Sequence, residues 1–279
     1  MTSINYNYNN PYNNNYTYVP RSKEDAEMGF ILASLASAAV MGALPYFSKP
    51  FAKQMREEHS NNHLYKDAFF KAIDKSGLKE KGLKFEHTDF SFEDLRKLGT
   101  PFESQIVHKD IKSGMNACYV PSLKLVKLNA NKASLSGFHE LGHAMNHLNS
   151  KTGKFLQLCR KPGYVLACLI GTVALFSRRK PKESDSGFMD FIQNNCGKIA
   201  FASILPTVAE EALATHKGMK LAKESGLDDK LLKNLRKFYG KAWLSYVGYA
   251  IATGLSVFAA SKITEKFTRP KKVENPFYY

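Results

Sequence analysis

Cysteine is scarce in this chain and spaced against the usual cysteine chemistry. Cys118, Cys159, Cys168 and Cys196 are the only four in 279 residues, and no two of them form a C-x-x-C pair. That excludes a disulfide scaffold and argues against a thiolate zinc site or a thioredoxin-like redox motif. Free thiols fit a reducing compartment. Internal repeats are missing, and so is any zinc-finger or RNA-binding signature, so nucleic acid is not an expected partner. Acidic residues are outnumbered, with 25 Asp and Glu against 40 Lys and Arg and a net charge of +15. With 44% hydrophobic and 23% charged residues, the chain is not disordered as a whole. Its length gives one or two domains and enough residues for a packed core.

Charge is missing altogether from some stretches. Residues 28–47 form a twenty-residue run without one charge, rich in Gly, Ala and Ser. At about 1.5 Å per helical residue this run spans a bilayer core of roughly 30 Å. It reads as an uncleaved anchor, because the preceding segment is too long and too mixed in charge for a signal peptide. Residues 243–261 are uncharged as well, with Trp243 and Tyr246 at one end, where an interfacial belt would place them. Residues 163–177 and 199–209 are shorter apolar blocks, expected to form a hairpin that dips into the membrane or packs on protein. Lys/Arg clusters within 178–182, 230–241 and 262–272 flank these blocks and suit anionic lipid headgroups. Five such residues on each side of 243–261 leave orientation undecided.

Residues 1–20 are Asn/Tyr-rich and aperiodic, which predicts a disordered tail reaching to about residue 27. Between 51 and 160 the chain looks soluble. Residues 64–73 and 92–98 have helical spacing, the second capped by Ser91. Short strands are expected at 104–108, 116–120 and 123–128, with Ser113-Gly114 as a turn.

A metal-binding pattern follows directly. His139, Glu140 and His143 form H-E-x-x-H, and composition alone would produce this in about 1% of such chains. On a helix, capped by Ser134 or Ser136, both imidazoles lie on one face and reach one ion. Zn2+ suits such a site, and Glu140 stands where it takes a proton from a water at the metal. A catalytic zinc ion usually has a third protein ligand. His147 lies about 12 Å along the axis from His139, too far to serve. The metzincin pattern also fails, lacking its Gly and third His. A helical stretch after residue 206 offers Glu210 and Glu211. Glu211 is preferred because Ala214 and Thr215 share its face and leave a small surface for packing near the metal helix, with Glu210 as the rival.

These motifs resemble the membrane zinc peptidases of the HtpX and CAAX prenyl endopeptidase type. The resemblance rests on HELGHAMNH, the hydrophobic pair after it, and Glu211-Ala-Leu-Ala-Thr215, and covers roughly residues 104–220. It implies that His139, His143 and Glu211 bind zinc and that Glu140 is the general base. It also implies that Asn116 and Ala117 lie on an edge strand lining a substrate cleft. Thr215 departs from that family, which usually has Asp there and a hydrogen bond to a zinc histidine. His216 and His147 are candidate oxyanion donors that spacing does not separate.

The expected fold is mainly α with a small β-sheet, a gluzincin-like core with transmembrane or membrane-associated helices. The domains read as a tail at 1–27 and an anchor at 28–47, then a zinc peptidase domain at 48–220 with a hairpin inserted at about 163–209. C-terminal helices at 221–279 complete the chain, with a span at 243–261 and a basic tail. The expected activity is hydrolysis of peptide bonds in a protein or peptide substrate, at a membrane and with the site on the cytoplasmic side. An inactive scaffold keeping the zinc fold and a soluble zinc metalloprotease are the alternatives.

Overall fold

The computed structural model of the chain describes residues 16–44, 46, 49, 53–54, 57, 61–87, 111, 114, 116–177, 179–180 and 187–274. The expected helix at 92–98 and strand at 104–108 lie outside these residues. Within them the chain is mainly helical with a small sheet. It divides into two compact units, one of Met1–Ala43, Tyr164–Ser203 and Ile251–Tyr279, the other of Leu44–Gly163 and Ile204–Ala250. Three long helices, α4 (Lys151–Phe176), α5 (Phe188–Glu224) and α6 (Asp229–Thr268), each contribute residues to both. The division therefore differs from the expected boundaries at 48 and 220.

In the first unit, strand β1 (Tyr16–Val19) pairs antiparallel with β5 (Lys271–Glu274). Residues 1–15 of the expected tail lie outside the described residues, while 16–27 hold this strand and the start of a helix. Helix α1 (Lys23–Gly42) begins where the Ser22 side chain accepts from the Asp25 amide at 3.0 Å, and Glu24 and Asp25 suit its N-terminal dipole. It stops five residues short of the end of the uncharged run at 47, with Ala43 at its C-cap. Small residues dominate the core of this unit: Ala33, Ala174, Cys196, Ala200 and Ala260, with Ile170 and Val257. Large apolar side chains face outward instead, Leu35 at 62% exposed, Leu169 at 58% and Phe258 at 51%. Lys23–Gly42, Lys151–Phe176 and Asp229–Thr268 are long and apolar enough to cross a membrane. The expected hairpin is thus corrected: its two blocks are stretches of longer helices, the first of them a full-length candidate span.

The second unit carries the H-E-x-x-H helix. Strands β2 (Lys84–His87), β3 (Ala117–Val120) and β4 (Leu125–Leu128) form a sheet in the order β2-β4-β3, with β2 parallel and β3 antiparallel to β4. The third strand starts at Leu125 rather than 123, because Pro121–Leu123 makes a 3-10 turn and Lys124 takes a left-handed conformation, φ 49°. Helix α2 (Asn62–Lys75) extends the expected 64–73 at both ends.

Strand β4 runs into α3 (Ala130–Asn149), and Asn129 caps it by accepting from the Asn131 amide at 3.1 Å. Neither serine expected as the cap fills that role. The helix kinks at Ala133, and Asn62 bridges the break, donating to Ala130 O at 2.9 Å and accepting from the Ser134 amide at 2.7 Å. Those backbone groups lose their helical partners at the kink, and burying them unpaired would cost about 1–3 kcal/mol each. Phe69 of α2 packs edge-on to Phe138 at 5.7 Å, and both rings are fully buried. Burial of such a ring contributes about 1.5–3 kcal/mol.

Two glycines bring the site together. A Cβ at Gly142 would lie 1.9 Å from Ala214 O, and one at Gly218 would lie 2.3 Å from Phe138 O. Gly142 follows Phe138 by one turn on α3, and Gly218 follows Ala214 by one turn on α5. The two helices therefore run antiparallel in backbone contact, and Glu210 and Glu211 sit one turn from that crossing.

Candidate metal centre

Residues four apart on α3 put the His139 and His143 rings edge to face, with centroids 4.5 Å apart. His139 Nε2 lies 3.0 Å from Glu211 Oε2, and His143 Nε2 lies 3.5 Å from the same oxygen. The other ring nitrogens turn away from this point. His143 Nδ1–H donates to Glu210 Oε1 at 2.9 Å, and Thr215 Oγ1 stands 3.2 Å from His139 Nδ1. Glu210 and Glu211 are adjacent, hence about 100° apart around α5, so one reaches each side of His143.

The donor atoms of His139, Glu140 and His143 lie within 4.8 Å of one another, as do those of His143, Glu210 and Glu211, and either group could hold a metal ion. Hydrogen bonding separates the two glutamates. Glu210 Oε1 also accepts from Asn146 Nδ2 at 2.8 Å and Gln157 Nε2 at 3.0 Å, and its Oε2 accepts from Arg160 at 3.0 Å. Its lone pairs are largely committed. Glu211 gives Oε1 to Arg160 at 2.8 Å and keeps Oε2 for the two imidazoles.

Charge in this region is buried. Glu210 and Glu211 are 0% and 1% exposed. Burial works to raise both carboxyls, but hydrogen bonds from His143, and for Glu211 from His139 as well, hold them below the usual range. For His143 burial disfavours the cation, yet Glu210 and Glu211 outweigh it and push the imidazole up to about 10. Glu140 is raised by burial, against the pull of the His143 and His139 rings and a backbone hydrogen bond from Tyr119. A raised carboxyl is the better proton acceptor.

A cleft of about 620 Å³ opens onto these groups. It is lined by Asn116 to Tyr119, by His139, Glu140, His143 and Glu211, and by Tyr239 and Tyr246. Among the described residues, β3 is an outer strand of its three-stranded sheet. The first donor of that edge is already occupied, since Ala117 N–H donates to Asn116 Oδ1 at 2.8 Å. Cys118 lines the cleft too, but burial pushes its thiol up to about 12, which keeps it neutral.

The structure thus brings together His139, Glu140, His143 and Glu211, with Asn116 and Ala117 on the cleft wall. His147 is held by Tyr119, whose hydroxyl lies 2.8 Å from His147 Nδ1, and His216 is exposed. Neither lines the cleft. Sequence reasoning missed Glu210 as the partner of His143, and also Asn146, Gln157 and Arg160. Asn146 sits at i+3 from His143, a spacing that was available as a signal. Tyr239, whose ring lies 5.4 Å from His139 and whose hydroxyl donates to Leu135 O, gave none.

No family model, curated protein or solved structure matches this chain.

Proposed function

We propose that this chain is a membrane-associated zinc endopeptidase of gluzincin type, in which His139, His143 and Glu211 hold Zn2+. The observation that carries the reading is the convergence of two imidazole Nε2 atoms on one carboxylate oxygen, at 3.0 and 3.5 Å. A tetrahedral zinc ion with bonds of 2.0–2.1 Å separates its ligands by about 3.3 Å, close to both histidine–Glu211 distances, and two imidazoles with a carboxylate are zinc-type donors. The outward Nδ1 contacts of both rings add to this, because metal-binding histidines generally hold an oxygen on the second nitrogen. Zinc, when bound, supplies a Lewis acid for the scissile carbonyl and lowers the pKa of water to about 7.

The chain's own residues do the rest. Glu140, inside the cleft and raised by burial, takes a proton from the attacking water and passes it to the leaving amine. The β3 edge offers main-chain pairing to an extended peptide, a mode tolerant of sequence. The peptide has to displace the Asn116 side chain from the Ala117 amide, which gives Asn116 a gating part in binding. The family resemblance of the motifs points to the same chemistry, with Thr215 serving His139 where that family has Asp.

The membrane reading rests on three apolar helices of spanning length and on their outward Leu, Ile and Phe side chains. Gly197 of α5 and Gly254 of α6 face each other, each with its absent Cβ about 3 Å from the other's carbonyl oxygen, so a small residue on α6 lets its neighbour approach to backbone contact. The flanking Lys and Arg would meet anionic headgroups. Four unpaired cysteines favour a cytoplasmic site.

The test is Glu140→Gln in detergent-purified full-length chain. The variant is expected to keep one zinc per chain and lose hydrolysis of casein or a quenched peptide. Hydrolysis at the wild-type rate would overturn the reading.

A further inference from the structure

We infer that Arg160 is a positioning residue of the metal centre, bridging the two buried glutamates so that Glu211 offers only one oxygen to the ion. The inference rests on the zinc reading above and adds a residue that lies in none of its motifs. Arg160 belongs to α4, while the imidazoles come from α3 and the carboxylates from α5.

The guanidinium reaches one carboxylate with each terminal nitrogen. One donates to Glu210 Oε2 at 3.0 Å, the other to Glu211 Oε1 at 2.8 Å. This fixes the division of labour among the four carboxylate oxygens. Glu210 Oε1 takes His143, Asn146 and Gln157, both outer oxygens take Arg160, and Glu211 Oε2 alone faces the two Nε2 atoms. A carboxylate free to turn about its last torsion would bind the ion through either oxygen or both, because that torsion is broad. Holding Oε1 removes this freedom and enforces monodentate ligation.

Charge gives a second reason. Glu140, Glu210 and Glu211 are all buried within one small volume. One divalent ion and one guanidinium offset the charge of three carboxylates, Lys217 adds a positive charge that acts on Glu210, and losing Arg160 shifts the centre towards negative. Lysine cannot substitute fully, since an ammonium is a point charge and lacks the planar fork that spans two acceptors. Arg160 also lines the cleft and its side chain is 31% exposed, so a small molecule can reach the space it fills.

The experiment measures zinc affinity by chelator competition, and the visible spectrum of the Co2+-substituted protein, for wild type, Glu211→Gln, Arg160→Lys and Arg160→Ala in the full chain. Helical content is followed alongside by circular dichroism. Arg160→Lys and Arg160→Ala are each expected to weaken zinc binding by roughly 10–100-fold and to shift the Co2+ spectrum. Millimolar methylguanidinium is expected to restore affinity to Arg160→Ala but not to Arg160→Lys, whose ammonium blocks the space. A role in helix packing alone predicts no such rescue. Wild-type affinity and spectrum in Arg160→Lys would overturn the inference, because the fork would then be dispensable. Loss in Arg160→Ala that methylguanidinium leaves unchanged would overturn it too. These failures leave the zinc reading standing so long as wild type binds zinc and Glu211→Gln does not. Folded wild type without zinc affinity would overturn both.

Discussion

Replacing Gly142 by alanine tests how the two halves of the proposed metal site are held together. The added Cβ would sit 1.9 Å from Ala214 O, where real contacts of this kind stay beyond 3.0 Å. The obstacle is backbone on a buried helix, so it does not swing aside as a side-chain tip would. Helices α3 and α5 must therefore part by at least about 1.1 Å, the difference between those two distances. Glu211 moves with α5 and the histidines with α3. Their separations, 3.0 and 3.5 Å, would then open to about 4 and 4.6 Å, beyond the roughly 3.3 Å edge of a zinc tetrahedron. A misplacement of about 1 Å in such a constellation costs on the order of 100-fold in rate. Overpacking adds about 1–3 kcal/mol of destabilisation. The assay combines zinc affinity, peptide hydrolysis and thermal melting. Gly240→Ala serves as the control, because that position is helical, exposed and has nothing within 4 Å of the added carbon. It should be neutral or slightly stabilising, by up to about 1 kcal/mol. Wild-type zinc affinity and turnover in Gly142→Ala would refute the reasoning.

Two further predictions concern the groups around the imidazoles. Thr215→Val keeps the shape and removes the oxygen 3.2 Å from His139 Nδ1, so zinc affinity should fall several-fold, about 1 kcal/mol, in a chelator titration; an unchanged affinity would mean the contact does nothing. The stability of chelator-treated protein should depend on pH in a stated direction. His143 is raised from 6.5 to about 10, so its contribution is complete below 6.5 and is lost as pH rises through 10. Glu210 and Glu211 are lowered from 4.5, so their contribution is present above that value and is lost as pH falls below it. Metal-free protein should therefore melt highest between about pH 4.5 and 6.5 and lower at pH 10. Zinc requires the neutral imidazole and should flatten the alkaline side. A metal-free melting temperature that climbs from pH 6.5 to 10 would contradict the assignment of His143.

The parts of the site legible in the sequence are those fixed by helix period. His139 and His143 share a face whatever the rest of the chain does, and Glu140 sits beside them. The preference for Glu211 rested on a small face at Ala214 and Thr215, and the structure uses both: Ala214 O is the atom against Gly142, and Thr215 reaches His139. Glu210 was visible only as a rival, because choosing between adjacent acids needs the direction from which α3 crosses. Gln157 and Arg160 depend on how α4 folds back after Ser150, which local pattern does not encode. The apolar runs at 199–209 and 243–261 marked the middles of α5 and α6, that at 163–177 marked the C-terminal part of α4, and that at 28–47 overran the end of α1. Helix α4 opens with Lys151, Lys154, Arg160 and Lys161, so its polar third read as a separate segment. The cap was misplaced for a similar reason, since the kink at Ala133 is stabilised by Asn62, about seventy residues away in sequence.

Zinc K-edge X-ray absorption on the purified, zinc-loaded chain tests the central claim most directly. Two imidazole nitrogens at about 2.0–2.1 Å and a carboxylate oxygen at about 2.0–2.2 Å are the expected result. Sulfur at about 2.3 Å, or a folded protein that takes up no zinc at all, would contradict it.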